Sequence, residues 1–388
     1  MSEIFGKNKK ELIKEIIKRI HQGEDIKKLK EEFKESLKGL TPKAIAEIEE
    51  ELIREGMGRE EIQSFCALHL ALFEEELEKE EILTEAGHPI HILMTEHKFL
   101  LINAKEFYEA LLENKINEKL EEIIHHFKDS ESHYLREENV LFPYLEKHGI
   151  TQPPAIMWME HDKIRSIKKE IYQLWEKREL NPLKEKAKEL FEMLNSHFYK
   201  ENKILFPTAL QVIRKEEWQE IRKEFDEIGY CCFTPQEIIK KEEIKEEKKK
   251  ISEILPINFE TGSFSLEELE ALLNTLPFDI TFVDKDDIVR YFNQSKERIF
   301  LRTKAVLGRK VQQCHPQKSI HIVERILSDF KSKKRDIAEF WISYQGKLVH
   351  IRYFAVRDKK GEYLGCMEVT QDITEIKKIE GEKRIYDY

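Results

Sequence analysis

The chain has 388 residues, room for two to four domains at roughly 100–200 residues each. Hydrophobic residues make up 40%, enough for packed cores, and charged residues 37%, above the usual level of about 25%. The net charge is −10 and the two signs are interspersed with no sustained basic stretch, so no nucleic-acid partner is expected. The first residues contain no apolar stretch of signal-peptide length. No window approaches the ~18 apolar residues of a membrane span, so a cytoplasmic protein that does not contact the membrane is expected. Five cysteines, at 66, 231, 232, 314 and 366, are odd in number and scattered, unlike a disulfide framework.

Residues 1–84 are expected to form a small all-α domain. Leu12, Ile13, Ile16, Ile17 and Ile20 follow helical spacing, and Gly39, Pro42, Gly56 and Gly58 divide the segment into three or four short helices. Residues 85–230 read as an up-down four-helix bundle, with breaks near Asn114–Asn117, Lys147–Pro154 and Asn181-Pro182. Pro143 and Pro207 are expected to kink or end two of these helices. Residues 231–262 form a charged connector, helical over 236–256, that is read either as a solvated linker or as a signalling helix. From 263 to 388 the pattern becomes α+β with an antiparallel sheet. Ile280–Asp284, Val289–Asn293, Ala338–Tyr344, Lys347–Arg357 and Gly361–Asp372 read as strands, with helix between Asn293 and Lys331.

Shifted by 64 residues, the bundle matches itself. Met94-Thr95-Glu96-His97 becomes Trp158-Met159-Glu160-His161, and His133-Tyr134-Leu135-Arg136-Glu137 becomes His197-Phe198-Tyr199-Lys200-Glu201. Leu141-Phe142-Pro143 becomes Leu205-Phe206-Pro207. In both halves a lone histidine precedes an HxxxE pair by 36 residues. Residues at i and i+4 share one helix face, so each pair can serve one centre. Inward-facing di-iron sites in other bundles use a related Glu-x-x-His motif. Four imidazoles and two carboxylates, His97, His133, Glu137, His161, His197 and Glu201, supply two metals with two histidines each, and both glutamates are free to bridge. An added oxo or hydroxo bridge still leaves each metal short of six ligands, with room for a small molecule. Imidazole plus carboxylate suits iron, manganese or zinc, and the lack of thiolates argues against a closed structural zinc site. His125, His126 and His148 have no repeat partner and are read as surface or supporting residues. Tyr134 and Glu138 are weighed as supports for the ligands, with packing and solvation as the plainer reading.

These residues resemble the hemerythrin HHE family, and within it the di-iron proteins linked to repair of iron centres. The resemblance implies two non-haem irons bridged by the glutamates. Oxygen-carrying hemerythrins have a further histidine four residues after the position of His161; here that residue is Arg165, which weakens an oxygen-carrier reading. Gln63-Ser64-Phe65-Cys66-Ala67-Leu68-His69, Gly87-His88-Pro89-Ile90-His91 and Phe142-Pro143-Tyr144-Leu145-Glu146-Lys147-His148-Gly149 resemble the domain of unknown function 438 family. So do Cys314-His315-Pro316 and Glu368-Val369-Thr370-Gln371-Asp372-Ile373-Thr374. Members of that family join a small helical domain, an HHE-type bundle and a PAS domain. Leu276-Pro277-Phe278-Asp279-Ile280 and the Asp372-Ile373-Thr374-Glu375 ending are similar to PAS domains, which implies small-ligand or haem binding, or dimerisation.

Two subsidiary sites follow. Cys66, His69, His88 and His91 form CxxH and HxxH pairs suited to a second metal, against a reading as a buried cysteine and helix-capping histidines. In the PAS region His321, or His315, is placed to be an axial haem ligand, against a core or capping role. The expected function is a sensor of O₂, NO, peroxide or iron status that signals through PAS. It would act as a PAS homodimer with an unknown output protein. The alternatives are an enzyme that reduces NO or peroxide or repairs iron–sulfur clusters, and an oxygen- or iron-binding protein.

Overall fold

The computed structural model describes scattered residues between 12 and 57, then 84–239, 257–296 and 298–382. Statements below concern these residues. The chain divides into two compact units, 1–242 and 243–388.

At the start of the first unit, Ile16, Leu29, Ile48 and Leu52 are buried on helical backbone. Then come α1 (Pro89–Leu112), α2 (Glu118–Asp129), α3 (Glu131–Arg136), α4 (Phe142–Lys147), α5 (Gln152–Glu176), α6 (Leu180–Lys200), α7 (Phe206–Val212), α8 (Lys215–Ile228) and the short α9 (Gln236–Ile239). The inward stripe of α1 is His97, Leu100, Ala104, Phe107 and Leu111, all buried at alternating spacings of three and four. That of α6 is Leu183, Ala187, Leu190, Leu194 and His197. Ile164 and Ile171 of α5 and Leu120, Ile123 and Phe127 of α2 complete the apolar core. The histidines therefore continue the same stripes into a polar end of the bundle.

The 64-residue repeat is also a repeat of backbone geometry. Two residues beyond the ends of α1 and α5 the chain takes positive φ, 53° at Asn114 and 57° at Arg178. At each end the amides of that residue and the next close the turn on the helix, Asn114 to Leu111 and Lys115 to Ala110, then Arg178 to Trp175 and Glu179 to Leu174. The break before α6 thus lies at 177–179 rather than at Asn181-Pro182, because proline fits within a helix's first turn. Pro143 and Pro207 do not end their helices. Each is preceded by a π-turn, Glu137–Leu141 and Glu201–Leu205, in which the amides of Phe142 and Phe206 bond five residues back to Glu137 and Glu201. The wider turn lets the helix pass the missing proline N–H. A further break at Ile213–Arg214 separates α8, and the bundle proper is joined by this additional packed helix.

The connector is described only over Gln236–Ile239; the rest of 236–256 lies outside the described residues. The second unit begins with a β1–β2 hairpin (Ile257–Phe259, Gly262–Phe264) and α10 (Leu266–Thr275), whose start carries a Ser265–Glu268 capping box. Five antiparallel strands follow: β3 (Asp279–Asp284), β4 (Val289–Phe292), β5 (Ile337–Tyr344), β6 (Lys347–Arg357) and β7 (Tyr363–Asp372), in the order β4-β3-β7-β6-β5. The helix α11 (Gln317–Lys331) packs Leu327 and Phe330 with Val283, Val289, Phe292 and Cys366 in one core. The expected α+β unit is the one found. Asp372-Ile373-Thr374 locks its ending: Asp372 accepts from the Thr374 amide at 2.9 Å, and Thr374 Oγ1 accepts from the Leu348 amide at 2.8 Å.

Candidate metal centre

The six expected residues converge. His97 comes from α1, His133 from α3, His161 from α5 and His197 from α6, while Glu137 and Glu201 open the two π-turns. All six are at most 1% exposed. Their ligand atoms form two groups: His97, His133, Glu137 and Glu201, and Glu137, His161, His197 and Glu201. Both carboxylates belong to both groups.

Each imidazole turns Nε2 inward. His97 Nε2 lies 3.2 Å from Glu201, His133 Nε2 3.6 Å from Glu137, His161 Nε2 3.4 Å from Glu137 and His197 Nε2 3.2 Å from Glu201. Behind them, each Nδ1 has a fixed acceptor. His133 donates to Glu96 at 2.7 Å, His197 to Glu160 at 2.8 Å, His161 to Glu138 at 2.8 Å and His97 to Asn202 Oδ1 at 3.1 Å. Burial raises a carboxyl pKa, but here the pairing outweighs it. Arg136 and His133 hold Glu96 down at about 2, and His197 and Lys200 hold Glu160 at about 2. Glu138 is also lowered despite its burial, by His161 and Arg165. Carboxylate acceptors behind His133, His161 and His197, and the Asn202 amide oxygen behind His97, keep a proton on each Nδ1 and turn Nε2 to the centre.

That arrangement leaves a deficit that a metal fills. His97 Nε2, His133 Nε2 and both oxygens of Glu137 and of Glu201 are buried without a hydrogen-bond partner. His161 Nε2 and His197 Nε2 face each other at 3.1 Å. An unmet buried polar atom costs about 1–3 kcal/mol, so a cluster of them is unstable unless a cation is shared among them. Metal–ligand bonds of about 2.0–2.2 Å fit neighbouring ligand atoms spaced in this way. The donor set therefore fits a metal centre. Aromatic rings close it: Phe198 stacks on His97 at 3.9 Å between centroids, and Tyr134 lies 4.7 Å from His161.

Several contributors were not singled out from sequence, and two, Glu138 and Tyr134, were weighed there as supports with packing as the plainer reading. Glu96 and Glu160 stand beside His97 and His161 in the repeat, yet Glu96 serves His133 of α3 and Glu160 serves His197 of α6. Arg136 and Lys200, which pair with those glutamates, also recur at the repeat spacing. Glu138, for which packing was the plainer reading, orients His161. Tyr134 packs on the ligands, and its hydroxyl meets Lys168 at 3.1 Å. Thr234, Cys231 and Tyr230 carried no sequence signal; Thr234 Oγ1 donates to Glu96 at 2.6 Å.

The other candidates lie elsewhere. Cys66 and His69 fall outside the described residues. His88 caps α1, its Nδ1 accepting from the Ile90 amide at 3.2 Å, and its ring lies 4.6 Å from Trp218. His91 is half-buried on α1 and its Nδ1 has no hydrogen-bond partner. In the second unit His321 is exposed on α11, while His315 Nδ1 donates to the Val311 carbonyl at 2.8 Å, and burial lowers its pKa. His125 is exposed, and His148 Nε2 meets Glu217 at 2.7 Å.

Comparison with known proteins adds three family matches. Residues 13–79 match a family of unknown function (DUF438), residues 88–209 the hemerythrin HHE cation binding domain, and residues 269–374 a PAS domain. No curated protein matches the chain. Among solved structures, the chain is similar to a C-terminal domain from Streptococcus mutans at 36% identity and a TM-score of 0.31, over 32% of this chain and 98% of that one. It is also similar to the PAS domain of BvgS from Bordetella pertussis, at 22% identity and a TM-score of 0.25, over 29% of this chain and 89% of that one. A PAS domain from Colwellia psychrerythraea gives 15% identity and a TM-score of 0.23, over 28% and 98%. The chain thus joins, in order, a DUF438 segment, a metal-binding hemerythrin HHE bundle and a PAS domain.

Proposed function

We propose that this is a cytoplasmic sensor whose bundle holds two non-haem irons and responds to O₂, NO, peroxide or iron status through its PAS domain. The observation that carries the two-iron reading is the pair of buried ligand groups sharing Glu137 and Glu201, with their inward atoms unpartnered. His97 and His133 would hold one ion, His161 and His197 the other, and the two glutamates would bridge. Iron bound by these residues would supply small-ligand binding and one-electron redox chemistry. The protein's part is to orient the imidazoles through Glu96, Glu138, Glu160 and Asn202 and to exclude water with Phe198, Phe206, Tyr134 and Phe142. The hydrogen bond from Thr234 to Glu96 ties the support of His133 to the segment that leads into the 236–256 connector, which favours sensing. A PAS homodimer acting on an output protein would complete the signal.

Titration of the ferrous full-length chain with NO tests this reading. A stoichiometric optical change that saturates, with an altered assembly state, is expected. Thr234→Val should keep the optical change and lose the change in assembly. Hundreds of turnovers per centre would contradict sensing and make the bundle an enzyme.

A further inference from the structure

The two halves of the centre share a backbone repeat, but their supports differ at one place. His161 Nδ1 donates to the carboxylate of Glu138, which Arg165 clamps through two hydrogen bonds of 2.8 and 3.0 Å. Arg165 is held in turn by Glu131 at 2.9 Å. The repeat positions around His97 are Asn202, Leu101 and Asn195. There His97 Nδ1 donates to a neutral amide oxygen at 3.1 Å. A carboxylate and its two charged companions are thus replaced together by three neutral residues, and the rest of the support follows the repeat: Glu96 with Arg136 in one half, Glu160 with Lys200 in the other.

We infer that the centre is built with unequal positions. The position held by His161 and His197 retains its metal tightly, and the one held by His97 and His133 is the labile, exchangeable one. A ring N–H that donates to a carboxylate makes the other nitrogen a stronger electron donor, and loss of such a support typically weakens metal binding 10–100-fold. Both imidazoles of the first position have carboxylate supports. Only one of the second pair does. The labile position is also the one whose His133 connects through Glu96 to Thr234, so gain or loss of that ion falls on the segment preceding the connector.

This inference rests on the two-iron reading, and one experiment separates them. The full-length chain is loaded anaerobically with ferrous iron, challenged with excess chelator, and followed by iron retained per chain. The expected result is two phases of one iron each, with rates about 10–100-fold apart. Glu138→Gln keeps an oxygen acceptor for His161 but removes its charge, and should bring the slow phase towards the fast one. Asn202→Asp combined with Leu101→Arg supplies the missing pair and should slow the fast phase, with helicity checked by circular dichroism. Two irons leaving in a single phase, or a Glu138→Gln chain with both rates unchanged, would overturn this inference alone. A chain that takes up only one iron would overturn the two-iron reading and this inference with it.

Discussion

Glu96 and Glu160 each receive a histidine N–H on one side and a buried cation on the other. Replacing either with glutamine keeps an oxygen in place and removes the charge behind the ligand. Metal affinity should fall about 10–100-fold, measured by competition with a chelator of known affinity; an unchanged affinity would make these glutamates purely structural. The six inward residues were legible in the sequence because two imperfect copies of one pattern cross-check each other. The repeat also contained the residues behind the ligands, as the glutamate before each lone histidine and the basic residue before each inward glutamate of the HxxxE pairs. It stayed unread because Glu96 supports His133 rather than its neighbour His97. Only the packing of α1 against α3, and of α5 against α6, brings those partners together. Asn202 and Thr234 offered less still, since a single amide or hydroxyl has no pattern to betray it.

The helices owe their continuity to local chemistry that periodicity alone does not report. Pro143 and Pro207 looked like helix ends, but a π-turn ahead of each absorbs the lost hydrogen bond and sets Phe142 and Phe206 beside His161 and His97. The same applies to α8, which is fastened to α4 by His148 and Glu217. Arg214, through its side chain and amide, and His148 hold Glu217 at about 2, against partial burial. A carboxyl lowered on folding stabilises above its unfolded value and loses that contribution as pH falls towards the folded one. Glu217→Gln should therefore lower the unfolding midpoint at pH 7, by an amount that shrinks below about pH 4.5 and vanishes near pH 2. Denaturant melts across that range would show it, and a pH-independent gap would contradict the ion-pair account. In the sheet, Gly365 of β7 lies where an added Cβ would sit 2.2 Å from the Val283 carbonyl oxygen. Gly365→Ala should destabilise the PAS unit by about 1–3 kcal/mol, read from its denaturant midpoint; a neutral substitution would mean that β3 and β7 can separate freely.

At the scale of the molecule, the order of parts was readable from where the period of the pattern changes, from helical stripes to alternating strands. The two units each have a core, one around Phe107, Phe127 and Phe198 and the other around Phe292 and Phe330. Among the described residues no helix is long and apolar enough to cross a membrane. What the halves of the bundle do for each other is to bring two copies of one ligand pattern face to face, so that neither copy alone completes a site. The most direct test of that claim is the iron content of anaerobically purified protein beside the Glu137→Ala/Glu201→Ala chain. Two irons per wild-type chain are expected, with loss of most iron and unchanged helicity in the double variant. A double variant that still holds two irons would contradict the assignment of the centre.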